Sequence, residues 1–152
     1  MKRYADLLAD ARLRVRELMP WDLAGSLAGP TPPMVVDVRE PAEFAQAAIA
    51  GSINVPRGVL EAACDWGYDD TVPELARARA RPVVVVCRSG NRSLLAADVM
   101  RTMGYDNVAT LRTGVRGWND FDQAQFDATG QPVDADVAEQ LLAVRVRPEQ
   151  MG

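Results

Sequence analysis

The sequence predicts an α/β domain with a central parallel β-sheet flanked by helices on both faces. Short apolar segments of strand length alternate along the chain with segments of helical periodicity, and this alternation is typical of α/β folds. The segment Val83–Val86 consists of valine alone, which indicates a strand buried on both faces. A length of 152 residues with 48% hydrophobic residues is sufficient for a single domain with its own core.

Two helices are predicted before the first strand. Apolar residues recur at helical spacing from Tyr4 to about Glu17, and a shorter helix follows within Met19–Leu27. The connector GPTPP, residues 29–33, cannot continue a helix because proline lacks the backbone N–H. Residues 1–28 are therefore expected to form an N-terminal helical segment that packs on the domain.

Strands and helices alternate in the central part of the chain, residues 29–128. The predicted elements are strand Met34–Val38, helix Glu40–Ala48, a short strand in SINVP (52–56), helices Arg57–Ala63 and Thr71–Ala80, strand Val83–Val86, helix Ser93–Met103, strand Val108–Leu111 and a last helix from Gly114 through Phe121. The remaining residues, 129–152, are expected to form a C-terminal extension, a strand or helix on the surface of the domain.

Composition excludes several classes of function. The net charge of −4 provides no basic field that would recruit nucleic acid or an anionic membrane. No apolar run reaches the length of about 18 residues that a transmembrane helix needs, and the charged N-terminus lacks the apolar core of a signal peptide. Two cysteines, Cys64 and Cys87, form neither a disulfide framework nor a CxxC metal pair. We therefore expect a cytoplasmic protein with no metal, cofactor, nucleic acid or membrane partner.

The chain contains no histidine, which excludes catalytic triads and Cys–His pairs that use an imidazole base. Cys87 nevertheless directly follows the most apolar predicted strand. Ligands of open parallel sheets bind beyond the carboxyl ends of the strands, and Cys87 is predicted to lie at that edge. Any activation of this thiol must come from groups other than imidazole.

The loop CRSGNR, residues 87–92, offers three features that favour a bound anion. Gly90 can adopt a positive φ, which lets successive backbone N–H groups point to one place. The helix expected from Ser93 adds the positive end of its dipole, and the two arginines of the loop add permanent charge. Such surroundings favour the thiolate form of a cysteine. The alternative interpretation is that Cys87 is an inert, buried apolar residue and that the arginines are solvated.

Four segments resemble the rhodanese family. CRSGNRS is similar to the six-residue active-site loop of single-domain rhodaneses and the start of the helix that follows it. Three further motifs, DVREPAEF (37–44), IAGSINVPRGVLE (49–61) and GYDNVATLRTGVRGW (104–118), are similar to family segments in the same order. The resemblance covers about residues 34–121. It implies a single rhodanese-like domain and a sulfurtransferase activity of the thiosulfate sulfurtransferase type.

The resemblance also implies roles for the loop residues. Cys87 would be the catalytic nucleophile that takes sulfane sulfur from thiosulfate or a similar donor as a persulfide. A thiophilic acceptor, cyanide or a thiol, would then remove the sulfur, so that the covalent intermediate divides the transfer into two steps. The implied substrate-binding residues are Arg88, Ser89, Gly90, Asn91 and Arg92.

The chain departs from the family pattern in two places. Ala47 and Ala48 replace a Gly-His pair that many members have, which bears on local hydrogen bonding. Thr113 replaces the first glycine of a pair that often precedes the last helix, and we expect its side chain to narrow the rim of the pocket.

Several residues have two interpretations. Asp37, a carboxylate in an apolar strand, either forms a structural pair with backbone donors or an arginine such as Arg39, or helps to hold the loop. Trp66 and Tyr68 either line the pocket mouth or belong to a surface link. Cys64, in Ala-Ala-Cys, either packs in the core or acts as a resolving thiol.

Two other functions stay open. A persulfide carrier or binding module for a partner protein would use the same residues as an enzyme. An arsenate reductase or phosphatase-like enzyme is the second alternative, but related domains of that type have a loop one residue longer, and Cys87–Arg92 is the short form. The expected partners are a small-molecule sulfur donor and acceptor, with a sulfur-accepting protein as a further candidate.

Overall fold

The computed structural model describes residues 1–152 and contains five parallel strands in one sheet. The strands are β1 (Arg16–Leu18), β2 (Met34–Asp37), β3 (Ile53–Asn54), β4 (Val83–Val86) and β5 (Val108–Leu111). The helices are α1 (Tyr4–Arg12), α2 (Pro20–Leu27), α3 (Pro41–Gln46), α4 (Leu60–Ala63), α5 (Pro73–Ala76), α6 (Asn91–Thr102), α7 (Gly114–Asp120) and α8 (Ala135–Leu141). The expected α/β fold class is confirmed.

The strand order is β1-β5-β4-β2-β3, and every pairing is parallel. β4 is the central strand and pairs along its whole length with β2, from Met34 opposite Val83 to Asp37 opposite Val86. A central strand of a parallel sheet has both faces covered, so alternating polar residues would be buried without partners. This position accounts for the run of four valines.

The two faces of the sheet carry separate hydrophobic clusters. Val83 and Val85 belong to a cluster with residues of α1, α4, α5 and α6. Val84 and Val86 belong to a second cluster with residues of α2, α7 and α8. Because successive side chains of a strand point to opposite faces, β4 contributes two valines to each cluster. Helices on both faces are therefore confirmed.

The predicted first helix was too long. It ends at Arg12 instead of Glu17, and Arg16–Leu18 forms the edge strand β1 alongside β5, with Arg16 opposite Ala109. Three residues are too few for a visible alternation of apolar and polar side chains. The hydrogen-bonding partner that makes them a strand lies far away in the chain, so local periodicity does not reveal it.

Three other predicted helices are shorter or divided. The helix expected to reach Ala48 ends at Gln46, because Ala47 has extended backbone angles (φ −164°, ψ 126°). The helix expected over 71–80 is limited to α5. The helix expected over 57–63 begins as a 3-10 turn at Arg57–Val59 and continues as α4.

The C-terminal residues are more than a surface appendage. α8 is capped by Asp134, whose carboxylate accepts hydrogen bonds from the backbone N–H groups of Asp136 and Val137. Ala138 and Leu142 are buried in the second cluster, against residues of the sheet and of α7. None of the helices combines the length and the apolar composition needed to cross a bilayer.

Candidate active site

Cys87 follows β4 at the carboxyl edge of the sheet, as the sequence predicts. Its sulfur accepts hydrogen bonds from the backbone N–H groups of Gly90, at 3.1 Å, and Ser93, at 3.4 Å. Both amides lie at the start of the twelve-residue helix α6, where the unpaired N–H groups and the helix dipole favour negative charge. The Cys87 sulfur is thus held by two backbone N–H groups at a helix start, and no imidazole takes part.

The buried hydroxyl groups of Ser93 and Thr110 extend a chain of polar contacts from the Cys87 sulfur into the core. Ser93 Oγ lies 3.4 Å from Cys87 Sγ, and Thr110 Oγ1 lies 2.7 Å from Ser93 Oγ. The Ser93 hydroxyl donates to the carbonyl oxygen of Gly90 at 3.2 Å and accepts from the Thr110 hydroxyl. Neither residue was predicted as part of the site. The available signal was Thr110 itself, a polar residue within an otherwise apolar strand.

Two glycines let the loop approach the segment that follows β5. Gly90 has φ +99°, and a Cβ atom there would lie 1.9 Å from the carbonyl oxygen of Arg112. Gly114 has φ +66°, and a Cβ atom there would lie 2.4 Å from the carbonyl oxygen of Arg88. No side chain larger than hydrogen fits at either position with the present backbone.

Backbone hydrogen bonds attach the loop to the start of α7. The N–H of Val115 donates to the carbonyl oxygen of Cys87 at 2.8 Å, and the N–H of Arg116 donates to that of Arg88 at 3.0 Å. These bonds satisfy both carbonyl oxygens and hold the loop against the start of α7.

Arg92 is paired with an acid, Glu43, that no sequence motif identifies as part of the site. Its two terminal nitrogens donate to the two carboxylate oxygens of Glu43, each at 2.9 Å. These hydrogen bonds lower the pKa of Glu43 from its ordinary 4.5 to about 2. Glu43 also accepts a hydrogen bond from the backbone N–H of Glu40 at the start of α3, so in sequence it resembles an ordinary helix cap.

Arg88 differs from Arg92 because it forms no ion pair and its buried Nε has no hydrogen-bond partner. It borders a cavity of about 260 Å³ above Cys87 and an adjoining cavity of about 160 Å³. The loop residues around the larger cavity are Cys87, Arg88, Ser89, Asn91 and Arg92. Gly90 donates its backbone N–H to the Cys87 sulfur, so the structure brings together every residue that the sequence predicts for the site.

Tyr4 and Val144 also line the cavity above Cys87, and neither was predicted. Tyr4 begins α1 and Val144 follows α8, so both ends of the chain reach the site. Their side chains are about half exposed, 53% for Tyr4 and 46% for Val144. No motif identifies them, because only the packing of the two terminal segments brings them to the loop.

Asp37 and Arg39 form a buried ion pair next to the site. Arg39 donates to both carboxylate oxygens of Asp37 at 2.7–3.1 Å and to the carbonyl oxygen of Ala47 at 2.7 Å. The structural interpretation of Asp37 is therefore the correct one. Arg39 links the end of β2 to the residue after α3, which fixes the helix that carries Glu43.

The other candidates lie away from the sulfur. Trp66 and Tyr68 are half exposed on a surface link, and the Arg77 guanidinium lies 5.3 Å from the Trp66 ring centroid. Cys64 is fully buried in the core, and burial raises the pKa of its thiol, as expected for a packing residue. Thr113 lines a separate groove and does not border the Cys87 cavity, so it does not narrow its rim.

A parallel α/β sheet with a cysteine loop at the carboxyl edge of its central strand defines a class of α/β domains whose candidate site lies beyond the ends of the strands. Within that class, the chain belongs to the rhodanese-like domain family, whose model matches residues 21–121. Tyr4 and Val144 both lie outside the matched residues.

Curated relatives include sulfurtransferases. The chain is 35% identical over 103 residues to "Putative thiosulfate sulfurtransferase, mitochondrial" of Schizosaccharomyces pombe. The match covers 66% of this chain and 72% of the relative. It is 31% identical over 131 residues to an adenylyltransferase and sulfurtransferase, uba4, of Aspergillus terreus. That match covers 76% of this chain and 27% of the longer relative.

Solved structures share the fold. A protein of unknown function from Rhodopseudomonas palustris, described as a possible tyrosine phosphatase, is 28% identical with a TM-score of 0.73. The match covers 81% of this chain and 93% of that one. The human single-domain sulfurtransferase TSTD1 is 25% identical with a TM-score of 0.60, over 70% of this chain and 96% of that one.

Proposed function

We propose that the protein is a sulfurtransferase that moves sulfane sulfur from thiosulfate or a similar donor to a thiophilic acceptor through a persulfide on Cys87. The observation that carries the proposal is the pair of backbone N–H groups, from Gly90 and Ser93, that donate to the sulfur at the start of α6. Membership of the rhodanese-like family supports the same reaction class.

In the first step the Cys87 thiolate attacks the outer sulfur of thiosulfate. A bond forms between the two sulfurs, the S–S bond of thiosulfate breaks, and sulfite leaves with the electron pair of that bond. Arg88, which has no carboxylate partner, attracts the anionic donor to the cavity. The loop N–H groups stabilise the negative charge that the terminal sulfur of the persulfide carries.

In the second step a nucleophilic acceptor attacks the terminal sulfur of the persulfide. With cyanide, a carbon–sulfur bond forms, the persulfide S–S bond breaks, and thiocyanate leaves while the Cys87 thiolate is regenerated. The helix start that stabilises the attacking thiolate also stabilises the thiolate as leaving group. No external oxidant or reductant enters either step.

A protein acceptor is the second candidate. The relative from Aspergillus terreus joins an adenylyltransferase to its sulfurtransferase, and such an arrangement is compatible with sulfur transfer to a protein. In that case the Cys87 persulfide forms as described, but small-molecule acceptors discharge it slowly. Single-turnover discharge by cyanide, measured against the steady-state rate with thiosulfate, separates an enzyme from a carrier.

A phosphatase activity is disfavoured by the loop. The six-residue loop from Cys87 to Arg92 encloses a smaller space than the longer loops of phosphatases. The similar structure from Rhodopseudomonas palustris, described as a possible tyrosine phosphatase, shares the fold and is 28% identical to this chain. Turnover of a phosphate ester together with no turnover of thiosulfate would overturn the sulfurtransferase proposal.

Mass spectrometry of the protein after exposure to thiosulfate tests the proposal directly. We expect the mass of one additional sulfur atom on the peptide that contains Cys87, and loss of that mass after addition of cyanide. Cys87→Ser should remove both the adduct and the transfer activity while the circular dichroism spectrum is unchanged. Cys64→Ala, the control at the other cysteine, should keep both. An adduct on Cys64 alone would contradict the assignment.

A further inference from the structure

A second cavity, the arginine-lined cavity, lies at the edge of the sheet where the parallel strands β1 and β5 begin, opposite the edge that carries Cys87. Its volume is about 340 Å³, within the range of about 300–1,000 Å³ that is typical of ligand pockets. Three parts of the chain line it: the start of β1, the last turn of α6 and the turn before β5. The polar residues among them are Arg14, Arg16, Arg101, Asp106 and Asn107.

Two of the three arginines have no acidic partner. Arg14 donates to the two carboxylate oxygens of Asp98 at 2.9 and 2.6 Å, whereas Arg16 and Arg101 form no ion pair. The hydrogen bond from Arg14, together with the positive charges of Arg14 and Arg101, holds the pKa of the Asp98 carboxyl below its ordinary value. Asp98 is thus already occupied by Arg14, and the guanidinium of Arg101 keeps its donors for a ligand.

Arg16 is oriented by a neutral group. Its Nη2 donates to Asn107 Oδ1 at 3.1 Å, which holds the guanidinium without compensating its charge. Asp106 is the one acid in the lining, and it forms no ion pair with the arginines. The cavity therefore has an excess of positive charge, which remains when Asp98 is included, in a protein of net charge −4. Such a local excess attracts anions.

We propose that the arginine-lined cavity binds a diphosphate group, either as the free anion or as part of an organic diphosphate. A diphosphate has two phosphoryl groups and several negative charges, so it can accept hydrogen bonds from Arg16 and Arg101 together. The adjoining cavity of about 180 Å³ shares Arg16 and Asn107 and leaves room for an organic group beside the phosphates. This inference is independent of sulfur transfer at Cys87.

Calorimetric titration with pyrophosphate in metal-free buffer tests the site. The double variant Arg16→Gln, Arg101→Gln should raise the Kd by at least about tenfold, because hydrogen bonds to charged groups contribute about one factor of ten or more. The matched control Arg116→Gln, Arg145→Gln removes the same charge at two exposed arginines that do not line the cavity. It should leave the Kd unchanged.

Asp106→Asn gives an effect of the opposite sign. The substitution removes the one carboxylate of the lining, which repels an anion, so the Kd for pyrophosphate should fall. An unchanged or higher Kd would contradict the placement of the anion beside Asp106.

Arg88 offers pyrophosphate another place to bind, at the Cys87 loop. Loss of binding in Arg88→Ala, with normal binding in Arg16→Gln, Arg101→Gln, would place the anion at that loop and overturn the inference. Absence of binding to the unaltered protein, or equal losses in the double variant and its control, would also overturn it. ADP carries the same diphosphate group and distinguishes the two sources. Tighter binding of ADP than of pyrophosphate through Arg16 and Arg101 identifies an organic diphosphate, and the reverse order identifies the free anion.

Discussion

Glu43 and Arg92 connect two helices on either side of the active-site loop through two parallel hydrogen bonds of 2.9 Å. Arg92 lies in the first turn of α6, where a positive charge is unfavourable beside the positive end of the helix dipole. The Glu43 carboxylate offsets that charge and fixes the side chain that ends the loop. Of the two loop arginines, Arg92 is therefore ion-paired, whereas the guanidinium of Arg88 has no acidic partner.

Glu43→Gln should lower stability modestly at neutral pH, because the pair is about one-third exposed and pairs of this kind contribute about 0.2–1 kcal/mol. The pKa of Glu43 is lowered to about 2 in the folded protein. Its contribution is therefore complete above the ordinary pKa of 4.5 and is lost as pH falls from there toward 2. Urea unfolding of both proteins at pH 7 and pH 3 measures this difference.

The control for this prediction is Glu61→Gln, which breaks the exposed helix pair with Arg57. It should change stability less than Glu43→Gln and leave sulfur transfer unchanged. Glu43→Gln should also reduce the transfer rate, since Arg92 loses the partner that orients it. An unchanged transfer rate would show that the loop does not depend on this pair.

Arg88→Ala should weaken capture of the donor more than it weakens the fold. Hydrogen bonds to charged groups contribute about 1.5–3 kcal/mol, so KM for thiosulfate should rise roughly ten- to hundredfold. Arg116→Ala, an exposed arginine that does not line the cavity, should leave KM unchanged. Steady-state kinetics together with the urea midpoint separates binding from stability. A lower kcat at constant KM would contradict the role in capture.

Gly90→Ala should be strongly destabilising, by about 2 kcal/mol or more, because a positive φ and a backbone clash act together. The added Cβ would lie 1.9 Å from the carbonyl oxygen of Arg112. Gly51→Ala isolates the first effect, since Gly51 has φ +76° and no atom near its Cβ position. We expect about 1 kcal/mol for Gly51→Ala in urea unfolding. Similar losses for the two variants would show that the loop moves to accept the methyl group.

Thr110→Val should slow sulfur transfer although Thr110 does not touch the substrate cavity. The change removes the hydroxyl 2.7 Å from Ser93 Oγ and leaves the Ser93 hydroxyl without that partner. A cost of about 1–2 kcal/mol in stability is expected for the buried hydrogen bond. Thr102→Val, at an exposed position of α6, is the control. If Thr110 positions Ser93, the pH profile of transfer should also shift, which a structural role alone would not produce.

The sequence by itself determined the features that depend only on residues close together in the chain. The valines of β4, the positive-φ glycine in the loop and the start of α6 follow from residues that are neighbours in the chain. Cys87 could be placed at the carboxyl edge of the sheet, with loop amides around it, on these grounds alone. The two N–H groups that donate to the sulfur, those of Gly90 and Ser93, lie within 6 residues of Cys87, so a local pattern can predict them.

Only the tertiary structure decided which distant side chains complete the site. The strand β1 exists because β5 offers it hydrogen bonds, and Glu43 becomes part of the site because α3 packs beside the loop. Val144 lines the Cys87 cavity because Ala138 and Leu142 anchor the C-terminal segment in the core, and Tyr4 lines it because Leu8 and Ala11 anchor α1 in the other cluster. Contacts between residues far apart in the chain depend on how the layers pack, and local periodicity carries no record of that packing.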